Sequence, residues 1–415
     1  MLRGLAASAA VLGCAVGVAS ATTAAAAPAS TVSSPPVVVA VVGEVGGINV
    51  LHQDFRTPNG KTPAYPRDMP RPVMVSLPHA GSFAADRAAL ERGSLGHLTP
   101  GVLYAIAGTR LLIVNAGTTV YDAVQTDAVH ATGVADAVTG TRYGTASDAL
   151  VVVAFTNGSE ADVYSWLARA SWVDIASTSD YQLSTTSDPT QCRGAADIRA
   201  FTTAGHQLFS SAGNTTDQPE PLVAPNGLPE TYIVGGVNSA GQTWTPGQTS
   251  ETDPFYEFGN VVRPYETGEL YSFPAAGPDT VSGAQHFGGT SGATPRTAGW
   301  AARLIARART LVHQTSRASG ALAAGPRRLA RGPLSDGRLT RAELVTLMHD
   351  VAVPHSGLPD GPQYGLEGYG SLDAAAVQHA ESILAGTAAE PTRSADDQAD
   401  AAAHQARAAV FTRCG

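Results

Sequence analysis

The sequence is short of several things, and each shortage narrows what the chain can be. Lysine occurs once, at Lys61, and 26 basic residues stand against 35 acidic ones, giving a formal net charge of −9. That balance speaks against a nucleic-acid partner, whose binding rests on neutralising phosphates, and favours a solvated acidic surface. There are three cysteines, Cys14, Cys192 and Cys414, too few for a cysteine-built metal module or a disulfide-dense miniature scaffold. After the first residues no apolar run is long enough to span a bilayer, so no membrane span is expected. Hydrophobic residues nevertheless make up 43%, enough for a sizeable core in a chain of 415 residues.

The N-terminus reads as a secretory signal peptide over residues 1–26: Met1-Leu2-Arg3, an Ala/Val/Leu run to Val18, then the small residues Ala24-Ala25-Ala26. A secreted, extracellular protein is therefore expected. Cys14 leaves with that peptide, and the even pair Cys192 and Cys414 is expected to form one disulfide in an oxidising compartment. Residues 27–36 form a short polar leader with no room for a folded prosegment. Beyond it, strand-like and helix-like segments alternate. Val37–Val42 is a continuous β-branched run of the kind buried on both faces of a sheet, and Ala149–Phe155, Trp172–Ser179, Gln207–Asn214 and Thr231–Val237 read as further strands. Helices are expected over Ala84–Glu91, Tyr164–Ser171, Arg199–Gly205 and Thr340–Val351, and a hairpin joins Leu103–Ala107 to Leu111–Val114. The alternation predicts an α/β fold with three layers, a mostly parallel central sheet and helices on both faces.

One stretch organises the rest: Gly289-Thr290-Ser291-Gly292-Ala293-Thr294-Pro295, followed by an apolar run that reads as a buried helix. Ser291 is the candidate nucleophile. A serine hydroxyl needs a base to activate it and a pocket to stabilise the oxyanion, and unpaired N–H groups at a helix start supply part of the second. The motif resembles the serine segment of the subtilisin-like serine peptidases, matching their Gly-Thr-Ser-x-Ala-Thr-Pro with Gly292 at the variable place. The elbow of α/β-hydrolases fits less well, because Ala293 stands where its last glycine belongs.

The resemblance extends upstream. His130-Ala131-Thr132-Gly133-Val134-Ala135 is similar to the family's histidine motif, which makes His130 the implied base. Ser210-Ser211-Ala212-Gly213-Asn214 is similar to the segment whose asparagine donates to the oxyanion, a role the resemblance assigns to Asn214. The acid motif is altered. Gly47-Ile48-Asn49 and His52-Gln53-Asp54-Phe55 match it, but where the catalytic aspartate belongs the sequence reads Glu44-Val45. Direct counting places Val45 there, and one extra loop residue places Glu44 there, so Glu44 is the candidate acid while His52 and Asp54 are expected to buttress the loop.

The resemblance thus implies a peptidase domain over residues 37–385, with an insertion around 56–120 and an Ala-rich tail over 386–415. It implies a polypeptide substrate, no cofactor and a monomer. Asp253 and Glu257, in a loop over 246–264, read as solvated charge, and a structural calcium is not legible. Replacement of the acid sets a second reading beside the peptidase: a catalytically weak or inactive subtilisin-like protein that binds peptides or proteins.

Overall fold

The first strand carries the logic of the whole sheet. In the computed structural model β1 (Val38–Glu44) sends Val39 and Val41, with Val37 before them, into one apolar core and Val38, Ala40 and Val42 into another. Because successive side chains of a strand point to opposite faces, an unbroken β-branched run fits only a strand covered on both sides. The structure describes residues 35–157, 160–179, 194–211, 231–237, 258–261, 272–318, 341–353 and 371–389, with a few short stretches between 225 and 230 and between 328 and 339. Asn214, Cys192, Cys414, the signal-peptide region, the Asp253/Glu257 positions and the tail from residue 390 lie outside the described residues.

On one side of β1 the chain builds β2 (Val73–Val75), helix α1 (Phe83–Glu91), β3 (Leu103–Ile106), β4 (Leu111–Asn115), helix α2 (Val129–Thr139) and β5 (Leu150–Phe155). On the other it builds α3 (Glu160–Leu167), β6 (Ile175–Thr178), α4 (Ala195–Thr203), β7 (Gln207–Ser211), β8 (Thr231–Val237) and β9 (Phe258–Val261). A two-stranded ribbon, β10 (Ser272–Ala276) and β11 (Ala284–Gly288), leads into the long helix α5 (Gly289–Ala318). A short hairpin, β12 (Arg328–Leu329) and β13 (Gly332–Pro333), precedes α6 (Arg341–Val351), β14 (Ser371–Leu372) and a last helix, Ala374–Leu384, labelled α7.

The central sheet has ten strands in the order β14-β9-β8-β7-β6-β1-β5-β4-β3-β2. Every neighbouring pair is parallel except β3 with β4. Residues of α2, α5, α6 and α7 line the core on one face, and residues of α3 and α4 line the other. The fold is therefore α/β in three layers with helices on both faces, as the alternation of segments predicts.

Several boundaries differ from the sequence reading. β1 runs two residues past Val42 and includes Glu44. α3 and α4 start four residues earlier than expected, at Glu160 and Ala195, because each buries its first turn: Val163 and Tyr164 in one, Ala195 and Ile198 in the other, both packed under the sheet. The loop expected over 246–264 contains β9, which extends the sheet beyond β8. The arginine-rich segment 320–333 holds the hairpin of β12 and β13. The region around 56–120 contributes β2, β3 and β4 to the sheet: its expected hairpin is β3–β4, and β4 pairs in parallel with β5.

Candidate active site

Chain order puts a switch point at β1. The strands before β6 accumulate on one side of it and those from β6 onward on the other, and the carboxyl ends of strands at such a point form a crevice. Glu44 ends β1, Phe155 ends β5, and Ser179 follows the end of β6. Glu44, with His130 bonded to it, and Ser291, bonded to Ser179, belong to this edge.

Glu44 reaches it through an irregularity. In the pairing of β1 with β5, Val42 lies opposite Ala154 and Glu44 opposite Phe155, so Gly43 is an extra residue on β1. Gly43 takes φ 82°, a left-handed conformation open to glycine at little cost. The bulge turns the Glu44 side chain inward, where it is 2% exposed, and leaves Val45 63% exposed. Glu44 Oε2 lies 2.8 Å from His130 Nδ1. A carboxylate only accepts, so the proton of this bond sits on Nδ1 and the lone pair is left on Nε2. Of the two positions left open for the acid, the geometry places Glu44 beside the imidazole and turns Val45 to solvent.

The backbone after Glu44 is pinned to the segment that feeds α2. Gly47 N–H donates to the Asp127 carbonyl, and a Cβ on Gly46 (φ 79°) would sit 2.3 Å from that same oxygen. The Tyr121 hydroxyl donates to Gly46 O at 2.8 Å, and its ring stacks on Phe155 with centroids 5.0 Å apart. Burial pushes the Tyr121 hydroxyl up to about 12, so it stays a neutral donor across the ordinary pH range. Asn49 ties the loop to the ribbon before Ser291, its amide donating to Gly277 O and Thr280 O at 2.7 Å each, while its N–H donates to Thr132 Oγ1 in α2 at 2.9 Å.

His130 lies in the first turn of α2 with its side chain 42% exposed. From Ala131 to Thr139 that helix is buried, and its small residues let it pack closely against α5. The Phe287 ring stands edge-on to the His130 ring at 5.5 Å and occupies the room left by Gly133, where a Cβ would come within 2.5 Å of it. Phe287 lies in β11, just ahead of the serine segment, and so links the histidine to the strand that leads into α5.

Ser291 is in the first turn of α5, among the N–H groups a helix leaves unpaired. Pro295 sits inside the helix and has no N–H to give to the Ser291 carbonyl four residues back. The freed carbonyl is taken by Ser179, whose hydroxyl donates to Ser291 O at 2.9 Å; Ser291 Oγ in turn donates to Ser179 O at 3.2 Å. This reciprocal pair fixes Ser291 to the end of β6. β7 runs parallel beside β6 and stops at Ser211, a few residues before Asn214.

His52 and Asp54 serve a different purpose. His52 is fully buried; its Nδ1 accepts from Asp54 N–H at 3.2 Å and its Nε2 bonds Gly283 O at 2.9 Å, the pattern of a neutral ring protonated on Nε2. Burial lowers its pKa. Asp54 Oδ1 receives Arg142 Nε at 2.9 Å. Both residues buttress the loop, as expected. Among the described residues no group of three or more His, Cys, Asp or Glu side chains is placed to hold a metal, and no helix is long and apolar enough to cross a membrane.

Sequence reasoning passed over Ser179 and Phe287. Ser179 carried a readable signal, since Pro295 leaves the Ser291 carbonyl in need of a donor. Phe287 carried none until Gly133 was seen beneath it.

No family model and no curated protein matches the chain. Among solved structures the chain is similar to three described as the patellamide maturation protease PatA, the prenylagaramide maturation protease PagA, and a cold-adapted subtilisin-like serine proteinase. PatA shares 17% identity at a TM-score of 0.46, covering 85% of this chain and 98% of that one. PagA shares 16% at 0.47, covering 84% and 94%, and the cold-adapted proteinase 16% at 0.42, covering 78% and 84%. At such values the likeness assigns no residue a role; this chain is similar to subtilisin-like protease domains.

Proposed function

We propose that this chain is a secreted subtilisin-like serine endopeptidase in which Glu44 takes the place of the usual aspartate. Ser291 Oγ attacks the peptide carbonyl carbon as its proton passes to His130 Nε2. Glu44 holds the Nδ1 proton and stabilises the imidazolium that forms. The Ser291 N–H at the start of α5, with the Asn214 amide, receives the oxyanion. The C–N bond then breaks, His130 returns its proton to the departing amine, and a water activated by the same imidazole releases the acyl group. The observation that carries this reading is the 2.8 Å contact of Glu44 with His130 Nδ1, since a buried carboxylate at that nitrogen orients the base and is of no evident use to a binding surface.

A second reading, a weak or inactive peptide-binding protein, draws on one observation: Ser291 Oγ donates to Ser179 O, which directs the hydroxyl proton away from a base. Treatment with a fluorophosphonate separates the two. The peptidase is labelled at Ser291, and labelling is lost in Ser291→Ala and sharply slowed in His130→Ala. A folded wild type that resists labelling while still binding peptide supports the second reading.

A further inference from the structure

Among the described residues, two buried carboxylate oxygens of neighbouring side chains have no hydrogen-bond donor: Asp54 Oδ2 and Asp136 Oδ1. Asp54 is 2% exposed and Asp136 fully buried. The other oxygen of each is well served. Asp54 Oδ1 takes Arg142 Nε at 2.9 Å and Arg142 N–H at 3.2 Å, and Asp136 Oδ2 takes Ala276 N–H at 2.8 Å. The remaining two oxygens belong to side chains within hydrogen-bonding reach of one another. Gly140 lets the backbone close over Asp136 Oδ1, since a Cβ there would fall 2.2 Å from that oxygen. Two carboxylates in contact cannot both ionise cheaply in a buried site, and a buried acceptor without a donor is costly; one proton removes both penalties.

We propose that Asp54 and Asp136 form a carboxylic acid–carboxylate pair sharing one proton between Asp54 Oδ2 and Asp136 Oδ1, and that this pair positions the histidine helix against the ribbon leading to the nucleophile. The pair joins three pieces. Asp54 belongs to the turn after β1, Asp136 lies in α2 below His130, and Ala276 ends β10. Burial and the Asp54 charge raise Asp136 well above the ordinary carboxylate range. The charged group opposing that rise is Arg142; on the Asp54 side stand Arg142, Arg110 and the neutral His52. β10 contributes only its backbone N–H to Asp136. The native chain therefore retains a proton that the unfolded chain releases, so the stabilisation is complete at pH below the ordinary aspartate value and declines as pH rises toward the raised one.

Asp136→Asn tests this. Its amide oxygen accepts from Ala276 N–H and its NH₂ donates to Asp54 Oδ2 at every pH, replacing the shared proton with a permanent one. The melting temperature of wild type is expected to fall relative to Asp136→Asn as pH rises above the ordinary aspartate range, with the variant higher by at least about 2 °C at the alkaline end. The fluorophosphonate reaction at Ser291, which rests on the peptidase reading, should stay level in the variant at alkaline pH while wild type loses rate. If that reading is wrong neither protein is labelled, and the melting curves still decide. Parallel melting curves for the two proteins overturn the proposal. So does a rise in wild-type melting temperature on adding calcium that the variant lacks, because the oxygens would then be holding a cation. If the variant does not fold, carboxyl ¹³C NMR of the wild type replaces it: an aspartate titrating well above the others supports the pair, and all aspartates titrating together sinks it.

Discussion

The molecule holds two histidines beside acid-bearing segments, and they differ in almost every respect that decides chemistry. His52 is fully buried, both ring nitrogens are committed to backbone groups, and burial lowers its pKa. His130 is 42% exposed and bonded through Nδ1 to a carboxylate that is itself 2% exposed. An imidazole whose two nitrogens are both used by the backbone is a strut; one whose Nδ1 meets a buried acid and whose ring reaches solvent is what the peptidase reading needs of a base. The same residue types are thus set apart by burial and by whether Nδ1 meets a backbone N–H or a carboxylate.

The sharpest way to break that contrast is at Glu44. Glu44→Gln keeps the size of the side chain but cannot stabilise imidazolium, so peptide turnover should fall by about 10⁴-fold with KM little changed. Val45→Asp added to that variant should restore nothing, because position 45 points to solvent; recovery of activity would transfer the acid's place to residue 45. His52→Ala should cost about 3 kcal/mol of stability by orphaning Gly283 O and Asp54 N–H, measured by denaturant titration, with the folded fraction still reacting with fluorophosphonate. Linkage gives the same residue a pH signature. A lowered histidine pKa means the unfolded chain binds the extra proton first, so wild-type stability drops as pH falls below about 6.5. His52→Gln should flatten that limb of a melting profile, and an unchanged slope would assign it elsewhere.

Smaller effects sharpen the picture around His130. Gly133→Ala drives a Cβ into the Phe287 ring and should destabilise by about 1–3 kcal/mol; Phe287→Val in the same chain should return part of the loss, while a purely additive double variant would mean the two do not meet. Ser179→Ala leaves the Ser291 carbonyl beneath Pro295 without its donor and should cost about 1 kcal/mol, seen as a lower denaturation midpoint.

Periodicity carried the fold well wherever burial was two-sided. The β-branched run at Val37–Val42 and the chain of alternating segments left few other arrangements. Helix starts were less legible, as at α3 and α4, because their first turns are fixed by packing under the sheet. At the site, Ser291 and His130 stood out because their chemistry is written in contiguous residues. Glu44 was visible only as one of two registers, since the deciding fact is the left-handed conformation of Gly43. Asp136 lay in plain view as a carboxylate inside an apolar helix, but its partner Asp54 is distant in sequence, and no local pattern joins them.

The bulge at Gly43 has a consequence of length. An extra residue sets the backbone of the acid back, and glutamate carries one methylene more than aspartate, about 1.5 Å of reach. Each change alone is expected to be a defect: Glu44→Asp on the bulged strand should fall short of His130 Nδ1, and deletion of Gly43 with glutamate retained should press the carboxylate toward the ring. Made together, a deleted Gly43 and a shortened acid would cancel. On the peptidase reading the glutamate and the irregular strand are thus a single compensated alteration, and neither can be judged, or engineered, without the other.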